Sequence, residues 1–417
     1  MGLIFRVMSF GNLSDLLYNH SADSDFTNPD FFVTFYDVDQ NEYVNSSGNY
    51  TEEYQPFVLP LWRQILWTVL FGVMVVIATV GNVLVIWIVI ANRRMRNVTN
   101  YLLVNLSIAD AMISTLNVTF NFIYMLNENW PFGYFYCKFN QFIAVVSISA
   151  SVFTLMAISI DRYMAIVNPL RPRLGKRATV VIAATIWISS ALIGTPNLVF
   201  FITDYYVLPD GNIRQLCYSE WPDGITTRSV IEYAYNVIFM MLTYFIPIIS
   251  LTYTYARIGA ELWGSHSIGE SSHHQLDNVK SKRRVVKMMI VIVIIFAVCW
   301  LPFHTYFIIT SNYPEVTKYP PIQEIYLAIY WLAMSNSMFN PMILYWMNFK
   351  FRRGFRQFLR CCCSCGDKDA RRQSMFELKN LDRLSYSPTP KNGTSTVSVS
   401  VQSINNNLIE LNSAAAT

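Results

Sequence analysis

The sequence predicts an all-α membrane protein: a seven-transmembrane helix bundle with a short amphipathic helix after the seventh span. Three observations carry this expectation. Hydrophobic residues make up 53% of the 417 residues and charged residues only 14%, about half the charged share of a typical soluble chain. A soluble fold so poor in charge would aggregate. The apolar residues are gathered into seven long blocks holding one charged residue, Asp110, and basic residues cluster in alternate short connections between them, the charge bias of a multi-pass chain.

A spanning helix needs about 20 predominantly apolar residues at about 1.5 Å each. The blocks that qualify are, roughly, residues 65–91, 101–126, 139–160, 178–203, 233–256, 288–310 and 325–347. The first connection carries Arg93, Arg94 and Arg96, the third Arg171, Arg173, Lys176 and Arg177, and the fifth Lys280, Lys282, Arg283, Arg284 and Lys287. These face the cytoplasm by the positive-inside rule, so the N-terminus is expected outside and the C-terminus inside. The resulting division is an outer tail over 1–58, the bundle over 59–347, a juxtamembrane helix with a cysteine cluster over 348–365, and a disordered cytoplasmic tail over 366–417. Residues 1–10 are too short and mixed for a cleavable signal core, so the first span is expected to serve as the anchor. No internal repeat is visible, against the inverted repeats common in transporters.

The outer tail is acidic, with Arg6 its single basic side chain, and it holds glycosylation sequons at Asn12, Asn19, Asn45 and Asn49. Sequons arise by chance, as those at Asn97, Asn105 and Asn392 illustrate, but four in one lumenal tail exceed chance. Cys137 and Cys217 lie near outer helix ends and suit an oxidising compartment, whereas Cys361, Cys362, Cys363 and Cys365 form a late cluster suited to a reducing one. Just before that cluster, residues 349–359 read as a basic amphipathic helix with Phe351, Phe355 and Phe358 on one face. Such a helix lies along the inner leaflet, and Cys361, Cys362 and Cys363 beside it are expected to be acylated. A metal knuckle is the competing reading, but a second Cys/His pair is missing. The net charge of +4 is small and no basic patch alternates with aromatics, which argues against a nucleic-acid partner.

Polar residues inside the spans locate the chemistry. Asp110 is a carboxylate at membrane depth, costly unless hydrated, paired or neutralised. It is either a hydrogen-bonded link between helices or an ion and water site, with Asn82, Ser337 and Asn340 as polar neighbours from other spans. Asp161-Arg162-Tyr163 closes the third span on its basic side, where a plain interfacial charge pair would also be ordinary. Trp187 lies in the fourth span, Pro247 and Tyr255 in the fifth, Phe296 and Cys299-Trp300-Leu301-Pro302 in the sixth, and Asn340-Pro341 in the seventh. Each proline removes a helix hydrogen bond and creates a bend. One such element says little; the ordered set across seven spans is specific.

At these residues the chain resembles the rhodopsin-like (class A) G-protein-coupled receptors over roughly residues 60–365. The resemblance implies that Arg162 faces the G-protein cleft with Asp161 restraining it, that Trp300 and Phe296 form a packing switch below the ligand, and that Asp110 is a sodium-sensing site. It also implies a Cys137–Cys217 disulfide tethering the second outer loop to the third helix. Ala144 stands where amine receptors carry an aspartate and Met334 where visual pigments carry the retinal-linking lysine, so neither ligand class is expected. The blocks Arg94–Tyr101, Phe135–Phe139, Asp161–Ile166, Glu220-Trp221-Pro222, Val285–Val291, Cys299–His304 and Ile325–Ser335 resemble tachykinin (neurokinin) receptors.

That narrower resemblance implies an amidated neuropeptide agonist whose amidated end is held by Asn117, Asn121, Asn140, His304 and Tyr326, with Asn197 and Asn236 in place of the family's usual glutamine and histidine. Asn117 and Asn121 are four apart and project from one helix face. Their bland alternative is interhelical hydrogen bonding, and that of His304 a satisfied bundle histidine. Asp204, Asp210, Glu220, Asp223 and Glu232 outnumber Arg214 and Arg228 around the second outer loop, a field that attracts a cationic peptide. This points to the invertebrate branch, whose peptides end in an arginine amide, with Glu232 or Glu220 near the arginine. The implied intracellular partners are a heterotrimeric G protein of Gq type, arrestin and receptor kinases, in a plasma membrane whose bilayer solvates the spans. No cofactor is implied, and no metal beyond sodium at Asp110. The alternatives are a receptor for another amidated neuropeptide and, from a different class, a transporter, which would carry several intramembrane ions. No nucleophile–base pair or metal-ligand spacing suggests an enzyme. One departure stands out: the family's Asn-Pro-x-x-Tyr pattern reads Asn340-Pro341-Met342-Ile343-Leu344, with Tyr345 one step late and turned by about 100°. The tyrosine that contacts Tyr255 in active receptors is therefore missing.

Overall fold

A computed structural model describes residues 59–170, 175–207, 213–225, 229–264, 273–313, 316 and 321–363. The four tail sequons, Cys365 and the C-terminal tail lie outside the described residues, as do the side chains of Cys361, Cys362 and Cys363. Eight helices follow in order: α1 Leu61–Ala91, α2 Val98–Asn127, α3 Gly133–Ile166, α4 Lys176–Phe200, α5 Val230–Gly264, α6 His273–Asn312, α7 Ile322–Met347 and α8 Phe349–Cys363. Between α4 and α5 runs a small antiparallel sheet of β1 Phe201–Val207, β2 Ile213–Trp221 and β3 Gly224–Ile225. The chain divides into two compact units, Met1–Phe355 and Arg356–Thr417, and of the second only the last turns of α8 are described.

Helices α1 to α6 are long and apolar enough to cross a membrane. Helix α7 has 26 residues, about 39 Å at 1.5 Å each, enough for a hydrocarbon core of about 30 Å. It is more polar because Ser335, Asn336, Ser337 and Asn340 interrupt its apolar run, and all four are buried. Helix α3 is the centre of the bundle, with seventeen buried residues. On the periphery, Val69, Val76, Val180, Leu192, Ile249 and Ile294 are exposed, as lipid-facing side chains must be in a bundle whose solvent is hydrocarbon.

Three expectations need correction. The fourth span ends at Phe200, and Thr203 belongs to strand β1; the apolar block ran through because a half-buried strand and a helix end read alike. The basic residues Lys280–Lys287 continue α6, which has 40 residues, and do not form a loop. Neither α2 nor α5 is uniformly α-helical. Each contains a five-residue π-helical segment, Ser114–Val118 in α2 and Met241–Phe245 in α5. The second lies just before Pro247, whose ring would clash with the carbonyl four residues back; the wider turn accommodates it, and Ile246 bonds back to Met241.

Local chemistry sets the remaining boundaries. Asn97 caps α2, its side chain accepting from the Asn100 amide at 2.9 Å. At the far end, Glu128 adopts φ 48° and ends the helix in the left-handed conformation. Ser229 caps α5 through the Glu232 amide at 2.9 Å. Asp223 supports that cap, accepting from the Ser229 hydroxyl at 2.5 Å and from the Ile231 amide at 2.9 Å; the Ser229 hydrogen bond holds its carboxyl below the usual range.

Two glycines permit close helix approach. A Cβ on Gly81 would lie 2.7 Å from Cγ and 2.9 Å from Cβ of Pro341, and one on Gly194 would lie 3.0 Å from Phe142 and Val146 side-chain atoms. The proline ring cannot yield, so α1 rests on the α7 bend only because residue 81 lacks a side chain. Gly81→Ala is expected to cost about 1–3 kcal/mol by overpacking, whereas Gly72→Ala, with nothing within 4 Å, is expected to be neutral or to stabilise through helix propensity. Melting of the purified protein in detergent checks this; equal melting temperatures for Gly81→Ala and the wild type would contradict it.

Candidate functional site

The β1–β2 hairpin is fastened to the bundle by several independent contacts. The disulfide Cys137–Cys217 joins β2 to α3 across 80 residues of sequence. The Cys217 amide donates to the Tyr124 hydroxyl at 3.2 Å. In the α2–α3 connection, the Trp130 amide donates to the Gln215 carbonyl at 2.8 Å, and the Gln215 amide donates to Asn129 Oδ1 at 2.9 Å. Arg214 pairs with Glu128 at 2.8 Å, and the fully buried Trp130 fills the corner against Tyr124 and Phe132. The hairpin therefore covers one end of the bundle as a fixed element.

Beneath the hairpin end, the residues singled out in the sequence fall into two groups. Asn117, Asn121 and Asn140 come together between α2, α3 and α7. Asn117 Nδ2 donates to Asn140 Oδ1 at 2.8 Å and to the Asn140 carbonyl at 3.1 Å. Tyr330 completes the group: its hydroxyl donates to Asn117 Oδ1 and accepts from Asn121 Nδ2, each at 3.2 Å. Tyr326 packs between Tyr330 and Tyr306, at ring distances of 6.0 and 5.3 Å. Asn117 lies in the π-helical segment and Asn121 four residues on, and both side chains reach the same Tyr330 hydroxyl. Tyr330 bridges them.

The second group lies between α3, α4, α5 and α6. Asn197, Asn236 and His304 line a small cavity together with Val145, Ile148, Tyr235, Phe239, Phe303 and Phe307. Asn197 Nδ2 donates to the Tyr235 hydroxyl at 2.7 Å, and that hydroxyl donates to the Ile193 carbonyl at 2.9 Å. The His304 ring lies 4.7 Å from Tyr244 and 5.9 Å from Trp300. Glu232, one turn before Tyr235 and Asn236, is buried and accepts from the Ser219 hydroxyl at 3.0 Å; Glu220 is exposed. The aromatic set Phe296, Trp300, Phe303 and Tyr244 belongs to the core beneath the two groups.

Asp110 sits deeper. Its Oδ1 accepts from Ser151 at 3.0 Å and Ser337 at 3.4 Å, and its Oδ2 from Asn340 at 2.6 Å. Asn82 does not reach the carboxylate; it donates to the Ser337 and Ala78 carbonyls at 3.0 and 2.8 Å and so acts on α7 at one remove. The carboxylate and the two hydroxyls suit a hard cation such as sodium, while Asn340 turns its amide nitrogen to the carboxylate. At the end opposite the hairpin, Arg162 pairs with Asp161 at 3.2 Å, and Thr99 donates to the same carboxylate oxygen at 2.6 Å. Tyr163 is half-buried in the next position. Tyr255 and Leu344 are buried, while Tyr345 turns away to meet Phe355 edge-on at 5.7 Å, as one helical step requires.

The sequence reading missed Tyr330, Ser151, Tyr235 and Gln141. Tyr330 was within reach, because Tyr326, Tyr330 and Ser337 follow helical spacing on one face of α7. Ser151 shares a face with Ser147 but carries no sequence mark of its carboxylate partner. Gln141 is fully buried with neither polar side-chain atom hydrogen-bonded, which only coordinates reveal.

Comparison with known proteins places this geometry. The model of the 7 transmembrane receptor (rhodopsin family) matches residues 81–344. The chain is 61% identical over 306 residues to the tachykinin-like peptides receptor 99D of Drosophila melanogaster, covering 73% of this chain and 59% of that one. It is 48% identical over 311 residues to the fly receptor 86C, covering 74% and 61%. With the substance-P receptor of Canis lupus familiaris it shares 42% identity over 332 residues, 79% of this chain and 80% of that receptor. The chain thus spans about three fifths of the length of the two fly relatives. It belongs to the rhodopsin family of seven-transmembrane receptors, in the group formed by its tachykinin-type relatives.

Proposed function

We propose that this chain is a receptor for an amidated, tachykinin-like neuropeptide, bound outside the cell and coupled to a heterotrimeric G protein inside. The observation that carries this reading is the two groups of polar side chains at the hairpin end, the cluster of Asn117, Asn121, Asn140 and Tyr330 and the cavity lined by Asn197, Asn236 and His304. Amide and imidazole side chains suit a peptide terminus, and Ala144 offers no anchor for a small amine. The relatives are named as receptors for tachykinin-type peptides. The hairpin end is then extracellular and the Arg162 end cytoplasmic, which accords with Arg93, Arg96 and the basic start of α6 at that second end.

The mechanism is a shift of population. An agonist must bind the active arrangement more tightly than the resting one, since equal affinity shifts nothing. In the resting arrangement the Asp161 pair restrains Arg162. Peptide pressing on His304 and Trp300 would bias α6 about its Pro302 bend and open a cleft beside Arg162 and Lys282–Lys287. Sodium held by Asp110, Ser151, Ser337 and Asn340 would favour the resting state by tying α2, α3 and α7 together. Gq-type coupling, regulation by receptor kinases and arrestin, glycosylation of the tail and acylation at Cys361–Cys363 complete the proposal for a plasma-membrane receptor.

Glu232 is the carboxylate best placed for a peptide arginine, because it lies one turn from the cavity-lining Tyr235 and Asn236 on the same helix. In transfected cells, arginine-amide peptides are expected to release calcium at concentrations where methionine-amide peptides do not. Glu232→Gln should lower arginine-amide potency about tenfold, the size of one charge-assisted hydrogen bond. Wild-type potency in both Glu232→Gln and Glu220→Gln would exclude these carboxylates as the arginine's partner. At the opposite end, Leu344→Tyr restores a hydroxyl facing Tyr255 and is expected to raise basal or agonist-driven signalling; unchanged signalling at equal surface expression would refute that role.

A further inference from the structure

The asparagine cluster has a direction. Leu116 lies within the π-helical segment Ser114–Val118. Its carbonyl accepts from the Tyr136 hydroxyl at 2.9 Å and from Asn140 Nδ2 at 3.0 Å. A carbonyl can only accept, so Asn140 must turn its amide nitrogen there and its Oδ1 towards Asn117. Asn117 Nδ2 is fixed in the same way by the Asn140 carbonyl at 3.1 Å. Its Oδ1 therefore takes the Tyr330 proton, and the phenol oxygen is left to accept from Asn121 Nδ2. The chain of donors ends at Asn121 Oδ1, which is buried and has no partner.

From this polarity we infer that Tyr330 is a specificity-determining residue, which orients Asn121 so that the site offers an acceptor and selects a ligand terminus that donates, a primary amide, over a free carboxylate. The inference rests on the peptide-receptor reading above. A buried acceptor without a donor costs about 1–3 kcal/mol, and an amide N–H offsets that cost. A carboxylate would set acceptor against acceptor. Asn121 alone could not discriminate, since rotation of its amide group presents nitrogen or oxygen with equal ease. The Tyr330 hydroxyl, itself committed to Asn117, removes that freedom. The ring is held separately, by Phe71 at 6.1 Å and Tyr326 at 6.0 Å, so the hydroxyl can be deleted without moving it.

The test uses the full chain in cells, with a synthetic arginine-amide peptide and the same peptide ending in the free acid, read by calcium release. The amide-to-acid potency ratio is measured within each variant and is independent of receptor number. Tyr330→Phe is expected to reduce that ratio about tenfold, with the acid gaining relative to the amide. Asn117→Ala is expected to do the same, because the Tyr330 hydroxyl is then free to donate to Asn121 Oδ1. A wild-type ratio in both variants overturns the assignment of Tyr330 while leaving the receptor reading intact. A wild-type receptor that answers neither peptide nor any methionine-amide analogue would instead overturn the receptor reading, and this inference with it.

Discussion

The structure depends on one constraint: a bundle solvated by hydrocarbon offers its buried polar groups little water, so a polar side chain that links helices does so through partners placed on their facing surfaces. Asp110 shows the consequence most fully. Its two oxygens take hydrogen bonds from α3 and α7, so a single carboxylate on α2 fixes three helices. Asn105 repeats the arrangement, donating to Thr154 of α3 at 2.7 Å and accepting from Trp187 of α4 at 2.8 Å. These links carry direction and register that apolar packing in lipid cannot supply alone. Gly81 lets α1 join the same centre through Pro341.

The same constraint organises the hairpin end. A loop left loose over an open bundle would expose the polar pockets to competing water. Here the disulfide, the Glu128–Arg214 pair and the Trp130–Gln215 backbone contacts hold the hairpin in place, and Glu128 accepts a left-handed conformation to reach its partner. The π-helical segments serve the pockets directly. In α2 the segment holds Asn117 and Leu116, whose carbonyl accepts from Tyr136 and Asn140 and so sets the direction of the hydrogen bonds up to Asn121. In α5 it makes room for Pro247 below the cavity that Tyr235 and Asn236 line. Departures from regular helix thus fall where the ligand is proposed to bind.

Much of this was legible in the amino-acid order, because hydropathy and loop charge are strong signals in a membrane chain. The seven spans, the amphipathic α8 and the isolation of Asp110 follow from those alone, and the nearness of Asn340 and Ser337 to Asp110 was also anticipated. What escaped depends on geometry finer than periodicity. A π-turn has no residue signature, so the segments at Ser114–Val118 and Met241–Phe245 were not foreseen. The strand character of Phe201–Val207 was hidden because its apolar start continues the α4 pattern. Ser151 and Tyr330 looked like ordinary bundle residues until their hydrogen-bond partners were placed opposite them. The substitution of Leu344 was visible at once, and Tyr345 meeting Phe355 supplies its physical reading.

The central claim is that a peptide bound at the hairpin end changes the Arg162 end of the same bundle. It is tested most directly by reconstituting the full chain in lipid nanodiscs with a purified Gq-type heterotrimer and following guanine-nucleotide exchange. The account predicts that an arginine-amide peptide accelerates exchange, and that excess G protein in turn tightens peptide binding, because coupling between two sites is reciprocal. Saturable peptide binding that leaves both the exchange rate and the peptide affinity indifferent to the other partner would contradict it.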